Sequence, residues 1–387
     1  MPSSRLPKAT GGHTADPAKA QTLHIAVDAR YIRSGYHDGI SRFSAHLIAE
    51  LAALVDERDD LRLTVLVSNE EQRDRIPYAR HLATFMISPP TSAKEPFVAR
   101  QVNRLAPDVV FSPMQTMGTW GRRYRAVLTI HDLIYYRHRT PPREFNVVIR
   151  ALWRAYHLSW WPQRLILRGA DSIVAVSHTT KNLIEQHHLT RRPVYVVPNA
   201  AEQSTSRVTP LSDRTRKLIY MGSFMPYKNV LTLLKASELL PEWELHLMSR
   251  IGPTERTRLL ALAPRARAVF HDGCTDDEYA DALRTSTALV TASRDEGFGI
   301  PVVEAMAHGT PVVVSDIPIF REIGGDAALF ASPDSPQDFA AQIRELMDPQ
   351  VWAERSKLVK IQSQQYEWGR SAQVLLDVLC EVGRSKP

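Results

Sequence analysis

The chain has 387 residues, of which 44% are hydrophobic and 23% charged, and its formal net charge is +6. This composition excludes wholesale disorder and fibrous repeats, and the length favours two domains. The charge is uneven, because residues 1–199 carry 27 basic and 17 acidic residues (net +10), whereas residues 200–387 carry 21 and 25 (net −4). The basic half raises the question of an anionic partner, which could be nucleic acid, a membrane surface or a phosphorylated substrate.

The cysteine content and the amino-terminal segment indicate the cellular compartment. Cys274 and Cys380 are the only cysteines and lie far apart in the sequence, which argues against disulfide or zinc modules and favours a reducing cytoplasm. Residues 1–21 are rich in small and polar residues and lack the apolar core of a signal peptide, so a disordered tail is predicted there. No apolar run approaches the roughly 18–20 residues that span a bilayer. We therefore expect a cytoplasmic protein with at most peripheral membrane contact.

Residues 22–199 alternate short apolar runs with helical periods. A helix is predicted from about Ile40 to Leu54, and a second one follows Ser177 as its N-cap. Continuous apolar strands between helices are typical of a parallel sheet that is covered on both faces. The predicted strands are Leu23–Val27, Leu63–Val67, Val109–Phe111, Ala126–Ile130, Ser172–Val176 and Val194–Val197.

The second half repeats this pattern after a linker, predicted at 200–216 from its Ser, Thr and Pro content. A second α/β domain is predicted at 217–365, with helices at Asn229–Leu240, Asp276–Arg284, Pro301–His308 and Pro336–Met347. A terminal helical segment at 366–387 could pack on either domain. The predicted strands are Leu218–Met221, Glu244–Met248, Ala268–His271, Ala288–Thr291 and Pro311–Val314.

The most informative motif runs from Arg294 to Val313, RDEGFGIPVVEAMAHGTPVV. Its Gly-X-Gly loop lets the backbone approach a ligand closely, and Pro301 favours a helix start whose free amides bind anions. Glu296 precedes that helix and Glu304 lies about one turn inside it. Two carboxylates so placed suit a ligand rich in hydroxyl groups. Either glutamate alone would be better explained as a capping residue beside a tight turn, but the whole motif favours a binding site.

The Glu-X7-Glu pattern of Glu296 and Glu304 resembles that of the retaining GT-B glycosyltransferases of family 4, the group 1 glycosyl transferases. The His-Asp-Leu at 131–133 and the Gly-X-X-X-Pro-X-Lys-Asn at 222–229 are similar to patterns of the bacterial polysaccharide and lipopolysaccharide mannosyltransferase-like branch. The resemblance covers about residues 28–379. It implies an α/β fold of GT-B architecture, in which two Rossmann-like doubly wound domains face each other across a cleft, with the donor mostly on the second.

The same resemblance implies roles for the motif residues. Glu296 would contact hydroxyl groups of the donor sugar, and Glu304 would hold the ribose hydroxyls of the nucleotide. The amides of Gly297, Phe298, Gly299 and Ile300 would face the diphosphate.

Lys228 is the second candidate, at the end of a loop that follows a strand and Gly222. An ammonium group there can stabilise charge on a leaving diphosphate. Many family members have an arginine after the glycine, where this chain has Ser223. Arg294, beside the Glu296 loop, is a candidate replacement or else an ordinary surface arginine.

His131 follows a predicted strand of the first domain, at the sheet edge that lines α/β clefts. The matching family histidine lies near the donor sugar and the leaving phosphate, so His131 is a catalytic candidate alongside Glu296 and Lys228, with a structural role as the alternative. Asp132 is interpreted as ordering the loop.

The segment from Gly35 to Arg42 resembles the family's glycine-rich first loop, with Ser41 in place of its middle glycine. Gly39, at the start of the helix, could present amides to phosphate or acceptor, or it could be a helix entry and nothing more.

Arginines alternate with Trp and Tyr between Val147 and Arg168. This composition is typical of a membrane-interface helix and also occurs in nucleic-acid binders. A helix that packs its aromatic residues into its own domain is at least as good an explanation, and Pro162 argues against one long helix.

Together with these features, the family resemblance implies a metal-independent retaining hexosyltransferase without a cofactor. It would transfer a hexose, favouring mannose from GDP-mannose, to a lipid-linked saccharide, with no nucleic-acid partner. No strand ends in the Asp-X-Asp that holds a metal in GT-A enzymes, and no Gly-X-Gly-X-X-Gly follows the first strand. A GT-B nucleotide-sugar epimerase, a catalytically impaired carbohydrate-binding protein and a nucleic-acid binder are the alternatives.

Overall fold

The computed structural model describes residues 22–33, 39–77, 81–141, 146–205 and 207–385. The tail predicted at 1–21 lies outside these residues, as does most of the glycine-bearing loop before Gly39. The described chain forms two α/β domains, each built on a parallel sheet. The predicted pair of Rossmann-like domains is thus confirmed.

The strands of the first domain are β1 (Leu23–Asp28), β2 (Leu61–Val67), β3 (Ala83–Met86), β4 (Val109–Ser112), β5 (Arg125–Ile130), β6 (Ser172–Ala175) and β7 (Val194–Val196). They pair in the order β3-β2-β1-β4-β5-β6-β7. Alternate residues of β1 enter different cores, Ile25 on one face and Ala26 on the other. The sheet is therefore covered on both faces, which explains why its central strands are continuously apolar.

The helices of this domain are α1 (Gly39–Asp56), α2 (Glu71–Asp74), α3 (Val98–Val102), α4 (Ile134–Arg137), α5 (Val147–Tyr156), α6 (Trp161–Leu167) and α7 (His178–Gln186). Ser177 is the N-cap of α7, as predicted, because its side chain accepts a hydrogen bond from the Thr180 amide at 3.0 Å. The segment with Pro162 forms two short helices rather than one.

The second domain has the strands β8 (Thr215–Tyr220), β9 (Glu244–Leu247), β10 (Ala268–Phe270), β11 (Ser286–Thr291), β12 (Val312–Ser315) and β13 (Leu329–Ala331). They pair in the order β10-β9-β8-β11-β12-β13. The helices of this half are α8 (Val230–Glu238), α9 (Pro253–Leu262), α10 (Asp276–Thr285), α11 (Ile300–Ala307), α12 (Pro318–Gly324), α13 (Pro336–Glu345), α14 (Pro349–Ser363) and α15 (Trp368–Arg384).

The chain passes between the domains twice. It enters the second domain after Ala200, and after α14, which packs on α11, it returns so that α15 packs on α1 and β1 of the first domain. The two passages touch, since the Ala201 amide donates to the Tyr366 carbonyl at 3.2 Å. The terminal helix is thus part of the first domain.

Several elements differ from the sequence-based prediction. The strands β3 and β13 and the helices α9 and α12 were not predicted. β3 is a short, largely exposed edge strand, so it lacks the apolar run that marks the central strands. β8 begins at Thr215, inside the segment predicted as a linker. Its first two residues are exposed and polar, which is why the sequence did not mark them as part of a strand.

No helix within the described ranges is long and apolar enough to cross a membrane.

Candidate active site

One cavity lies between the domains, where the carboxyl ends of the two sheets face each other. Its volume is about 370 Å³, within the range of small-molecule sites. The first domain contributes the start of α1 and the residues after β5, and the second contributes those after β8 and β11. Ligands of open parallel α/β sheets bind at this edge, which makes the cavity the candidate active site.

The loop before α11 forms one wall of this cavity. Gly299 has φ +106° and ψ +54°, a left-handed conformation that favours glycine, and it turns the chain into the helix. The amides of Gly297, Phe298, Gly299 and Ile300 donate to no acceptor within the described part of the chain. Free amides at the positive end of a helix dipole can bind a diphosphate.

Gly297 is also a point of close contact between the domains. A Cβ atom there would stand 2.1 Å from the carbonyl oxygen of His131, so only glycine fits. The Gly297 carbonyl accepts a hydrogen bond from Ser177 Oγ at 2.9 Å. The loop of the second domain is therefore held against β5 and α7 of the first.

Lys228 and Glu296 form an ion pair on the cavity wall. Lys228 Nζ lies 2.5 Å from Glu296 Oε1, which also accepts from Ser293 Oγ at 2.8 Å. The side chains are only 17% and 12% exposed, so solvent screens the pair weakly. The next residue, Asn229, has φ +54° and donates from Nδ2 to the Pro333 carbonyl at 2.6 Å, which fixes the lysine loop. The pair places a cation beside the free amides.

His131 and Asp132 face this wall from the first domain. His131 Nε2 donates to the Pro113 carbonyl at 2.7 Å, and the edge of its ring packs on Phe43. Asp132 Oδ1 accepts from the Ile134 amide at 3.0 Å, which supports the interpretation of Asp132 as a loop-ordering residue. Burial raises the pKa of Asp132.

Glu304 lies one turn inside α11 and lines a second cavity of about 340 Å³. Arg42 of α1 reaches across the cleft, with Nη1 2.7 Å from Glu304 Oε1, and its other nitrogen pairs with Asp276. Burial raises the pKa of Glu304, and the guanidinium of Arg42 opposes that rise. The carboxyl of Glu304 is therefore sensitive to the presence of Arg42.

A further ion pair joins the domains beside Glu296. Asp295 is buried and pairs with Arg137 of α4, while His138 Nε2 lies 3.5 Å from its other oxygen. Burial raises the pKa of Asp295 to about 6 in spite of Arg137.

The cavity brings most of the predicted site residues together. His131, Gly222, Lys228 and Glu296 line it, as do Gly297, Phe298, Gly299, Ile300 and, from α1, Gly39. Glu304 lines the adjoining cavity.

Ser223 and Arg294 lie elsewhere. Ser223 is exposed, and its carbonyl accepts from the Tyr220 hydroxyl at 2.6 Å. Arg294 extends along the surface, where its Nη2 lies 2.5 Å from Asp334 Oδ1. Neither side chain lines the cavity, so Arg294 does not supply a second cation there.

Arg42, Arg137 and Asp295 were not predicted as site residues. Each takes its place through a contact between the domains, and no local pattern in the sequence reports how the two sheets face each other. Arg42 had one indication, its position three residues after Gly39 on the first turn of α1.

No cluster of three or more His, Cys, Asp or Glu side chains among the described residues could hold a metal ion.

The geometry of two facing Rossmann-like domains is that of the GT-B class. The structure is similar to HepE of Anabaena, solved in complex with UDP-glucose, with a TM-score of 0.68 and 16% identity over 93% of this chain and 100% of that one. At this identity the likeness shows the fold alone.

Family comparisons identify the chain further. The model described as "Glycosyltransferase Family 4" matches residues 37–204, and that described as "Glycosyl transferases group 1" matches residues 202–365. The chain belongs to the family 4 glycosyltransferases, which confirms the resemblance drawn from Glu296 and Glu304.

Its curated relatives include mannosyltransferases. The chain is 26% identical over 189 residues to the O-antigen chain mannosyltransferase RfbU of Salmonella typhimurium, covering 47% of this chain and 53% of that protein. It is 27% identical over 267 residues to the O-antigen chain mannosyltransferase B of Escherichia coli, covering 64% and 68%. The matched segment thus spans about half to two thirds of these relatives.

Proposed function

We propose that this glycosyltransferase transfers a hexose, mannose from GDP-mannose, to a lipid-linked saccharide with retention of the anomeric configuration. The mannosyltransferase relatives support the sugar, and their O-antigen acceptors support a role in cell-surface polysaccharide or lipopolysaccharide synthesis. HepE with its bound UDP-glucose supports a nucleotide sugar as the donor. The site of action would be the cytoplasmic face of the membrane.

The observation that carries this proposal is the Lys228–Glu296 pair beside the free amides of Gly297 to Ile300. In the proposed complex the amides and Lys228 hold the diphosphate, and Glu296 accepts hydrogen bonds from the sugar. Glu304, one turn further along α11, accepts from the ribose hydroxyls. In this assignment the cation and the free amides meet the anionic diphosphate, and the two carboxylates meet hydroxyl groups of the nucleotide sugar.

The reaction would proceed on one face of the sugar. The bond between the anomeric carbon and the diphosphate breaks, a hydroxyl oxygen of the acceptor bonds to that carbon from the same side, and the hydroxyl proton passes to the departing phosphate oxygen. Lys228 and the amides stabilise the negative charge that develops on the diphosphate, so we propose a reaction without a metal. The contacts of Gly297 with the first domain keep water from the donor.

Transfer assays on two variants test the proposal. With GDP-mannose and a lipid-linked saccharide, Lys228→Ala and Glu296→Gln should each lower kcat about 100-fold or more, because each removes one preorganised group. Lys235→Ala is the matched control, since Lys235 is an exposed lysine on α8, and its rate should equal that of the wild type. Equal rates in all three variants, with thermal melting unchanged, would overturn the proposal.

A further inference from the structure

The outer side of α5 and α6 carries apolar side chains with nothing packed on them. No residue of α5 is buried, and Val147, Leu152 and Trp161 are 83%, 66% and 61% exposed. A contiguous exposed apolar surface of this kind marks an interaction site. We call it the α5 surface, formed by Val147, Val148, Ile149, Leu152, Leu158, Trp161 and Leu165.

Two other aromatic residues of this segment, Trp153 and Trp160, face inward instead. Trp153 packs against Tyr135 of α4 with ring centroids 5.1 Å apart, and Trp160 stacks on Tyr136 at 4.1 Å. The helix is therefore anchored by its aromatic residues, which leaves Val148 and Leu152, one turn apart, on the outside. The apolar exposure belongs to a well-supported helix.

The charged residues around the α5 surface are all basic. No acidic residue occurs between Glu144 and Asp171. Arg164 donates to the carbonyls of His187 and His188, but the other arginines of the segment pair with no carboxylate in the part of the chain that the structure describes. These unneutralised arginines are Arg150, Arg154 and Arg168. Aliphatic side chains flanked by free guanidinium groups match the boundary between acyl chains and anionic headgroups.

Helix α4 connects the α5 surface with the active-site cleft. Trp153 and Trp160 pack on α4, which directly follows His131 to Leu133, and Arg137 of α4 pairs with Asp295 of the loop before α11. A membrane in contact with α5 would therefore lie on the α4 side of the cleft.

We propose that the α5 surface docks on an anionic lipid bilayer, with Val148 and Leu152 inserted at the interface and Arg150 and Arg154 among the headgroups. The benefit of this docking rests on the proposed function, since it would bring a lipid-linked acceptor to the cleft. The docking itself follows from apolar exposure and charge alone.

Vesicle co-sedimentation of the full chain tests the docking. Binding to vesicles of equal parts phosphatidylcholine and phosphatidylglycerol should exceed binding to phosphatidylcholine at least about tenfold. The double variant Val148→Ser/Leu152→Ser should lose about tenfold in binding to the anionic vesicles. Arg150→Ala/Arg154→Ala should lose most of the preference for them. The matched control is Leu262→Ser/Ile361→Ser, which changes two similarly exposed apolar residues of the second half and should bind like the wild type.

Two results would overturn the inference. One is equal binding by the wild type and Val148→Ser/Leu152→Ser, or an equal loss in the control. The other is a dimer of the wild type that the same variant converts to monomers, because the α5 surface would then cover a second copy of the chain. Vesicle binding is measured without a donor, whereas thermal stabilisation by GDP reports on the donor site. The two measurements therefore distinguish failure of the membrane-docking inference from failure of the proposed function.

Discussion

Arg42 Nη1 lies 2.7 Å from Glu304 Oε1, although the two residues are 262 positions apart and belong to different domains. The contact places the permanently charged guanidinium of Arg42 beside the carboxyl group that we propose binds the ribose of the nucleotide. It also joins the two domains at the wall of the second cavity. The charge state of Glu304 and the closure of the domains are thus linked through one side chain.

Arg42→Ala should make nucleotide binding dependent on pH. Burial already raises the pKa of Glu304, and loss of the opposing guanidinium raises it further, so the carboxyl takes up a proton at a higher pH. A protonated carboxyl is a weaker acceptor for ribose hydroxyls. We expect the Kd for GDP in calorimetry to be about tenfold weaker at about pH 5.5 than at about pH 8. Glu304→Gln, which cannot titrate, should bind weakly at both values, and a flat profile for Arg42→Ala would contradict the assignment.

Gly297→Ala should separate the domains. The added methyl group would stand 2.1 Å from the His131 carbonyl oxygen and 2.8 Å from Asp132 Cβ, so the loop must move and its hydrogen bond with Ser177 is lost. We expect the free energy of unfolding in urea to fall by about 2 kcal/mol or more, together with transfer activity.

Gly252→Ala is the control for that change. No atom lies within 4 Å of a Cβ at Gly252, and its φ is −70°, so its stability should stay within about 0.5 kcal/mol of the wild type. Similar losses in both variants would point to a general cost of alanine rather than to the contact between the domains.

Asp295→Asn should become more stable relative to the wild type as the pH rises. Burial raises the pKa of Asp295 to about 6 from its ordinary 3.8, so its favourable contribution is complete below about pH 4 and is lost as the pH rises through about 6. The free energy of unfolding of the variant, relative to that of the wild type, should rise by about 1–3 kcal/mol between about pH 4 and pH 7. Arg137→Met removes the positive charge that lowers the pKa of Asp295, so in this variant the pH range over which Asp295 loses its favourable contribution should shift upward. A difference that is constant with pH would show that Asp295 does not titrate in this range.

Glu322→Ala should weaken the contact between α12 and α7. Glu322 accepts from the His178 and Thr179 amides, both at 2.7 Å, and so satisfies the first turn of α7 from the opposite domain. Its loss should cost about 1–3 kcal/mol in the free energy of unfolding and increase the radius of gyration in solution scattering. Glu354→Ala, an exposed glutamate of α14, is the control and should change neither quantity.

The sequence predicted the parts of the fold that are set by local chemistry. The buried central strands are continuous apolar runs, and the cap at Ser177 is a side-chain property of one residue, so both could be recognised. The edge strand β3 was missed because none of its residues is buried and it carries no such run, whereas β13 is apolar but only three residues long. The break between α5 and α6 was indicated by Pro162, whereas the outward direction of the aliphatic side chains depends on packing against α4.

The site divides in the same way. Glu296, Glu304, Lys228 and His131 follow strands or begin a helix, and a parallel sheet brings such positions to one edge. Ser223 and Arg294 are neighbours of site residues along the chain, but their side chains leave the cavity because a strand or loop directs successive residues to different sides. Arg42 and Arg137 could not be assigned, since their partners lie in the other domain.

The two passages of the chain between the domains, joined by the hydrogen bond from Ala201 to Tyr366, restrict how the cleft can open. A single connection would let one domain swivel freely about the other. For two adjacent connections we expect a hinge with one preferred axis, about which the far rim of the cleft opens more than the side near Ala201. Opening of the cleft then requires the contacts at Arg42, Arg137, Gly297 and Glu322 to break.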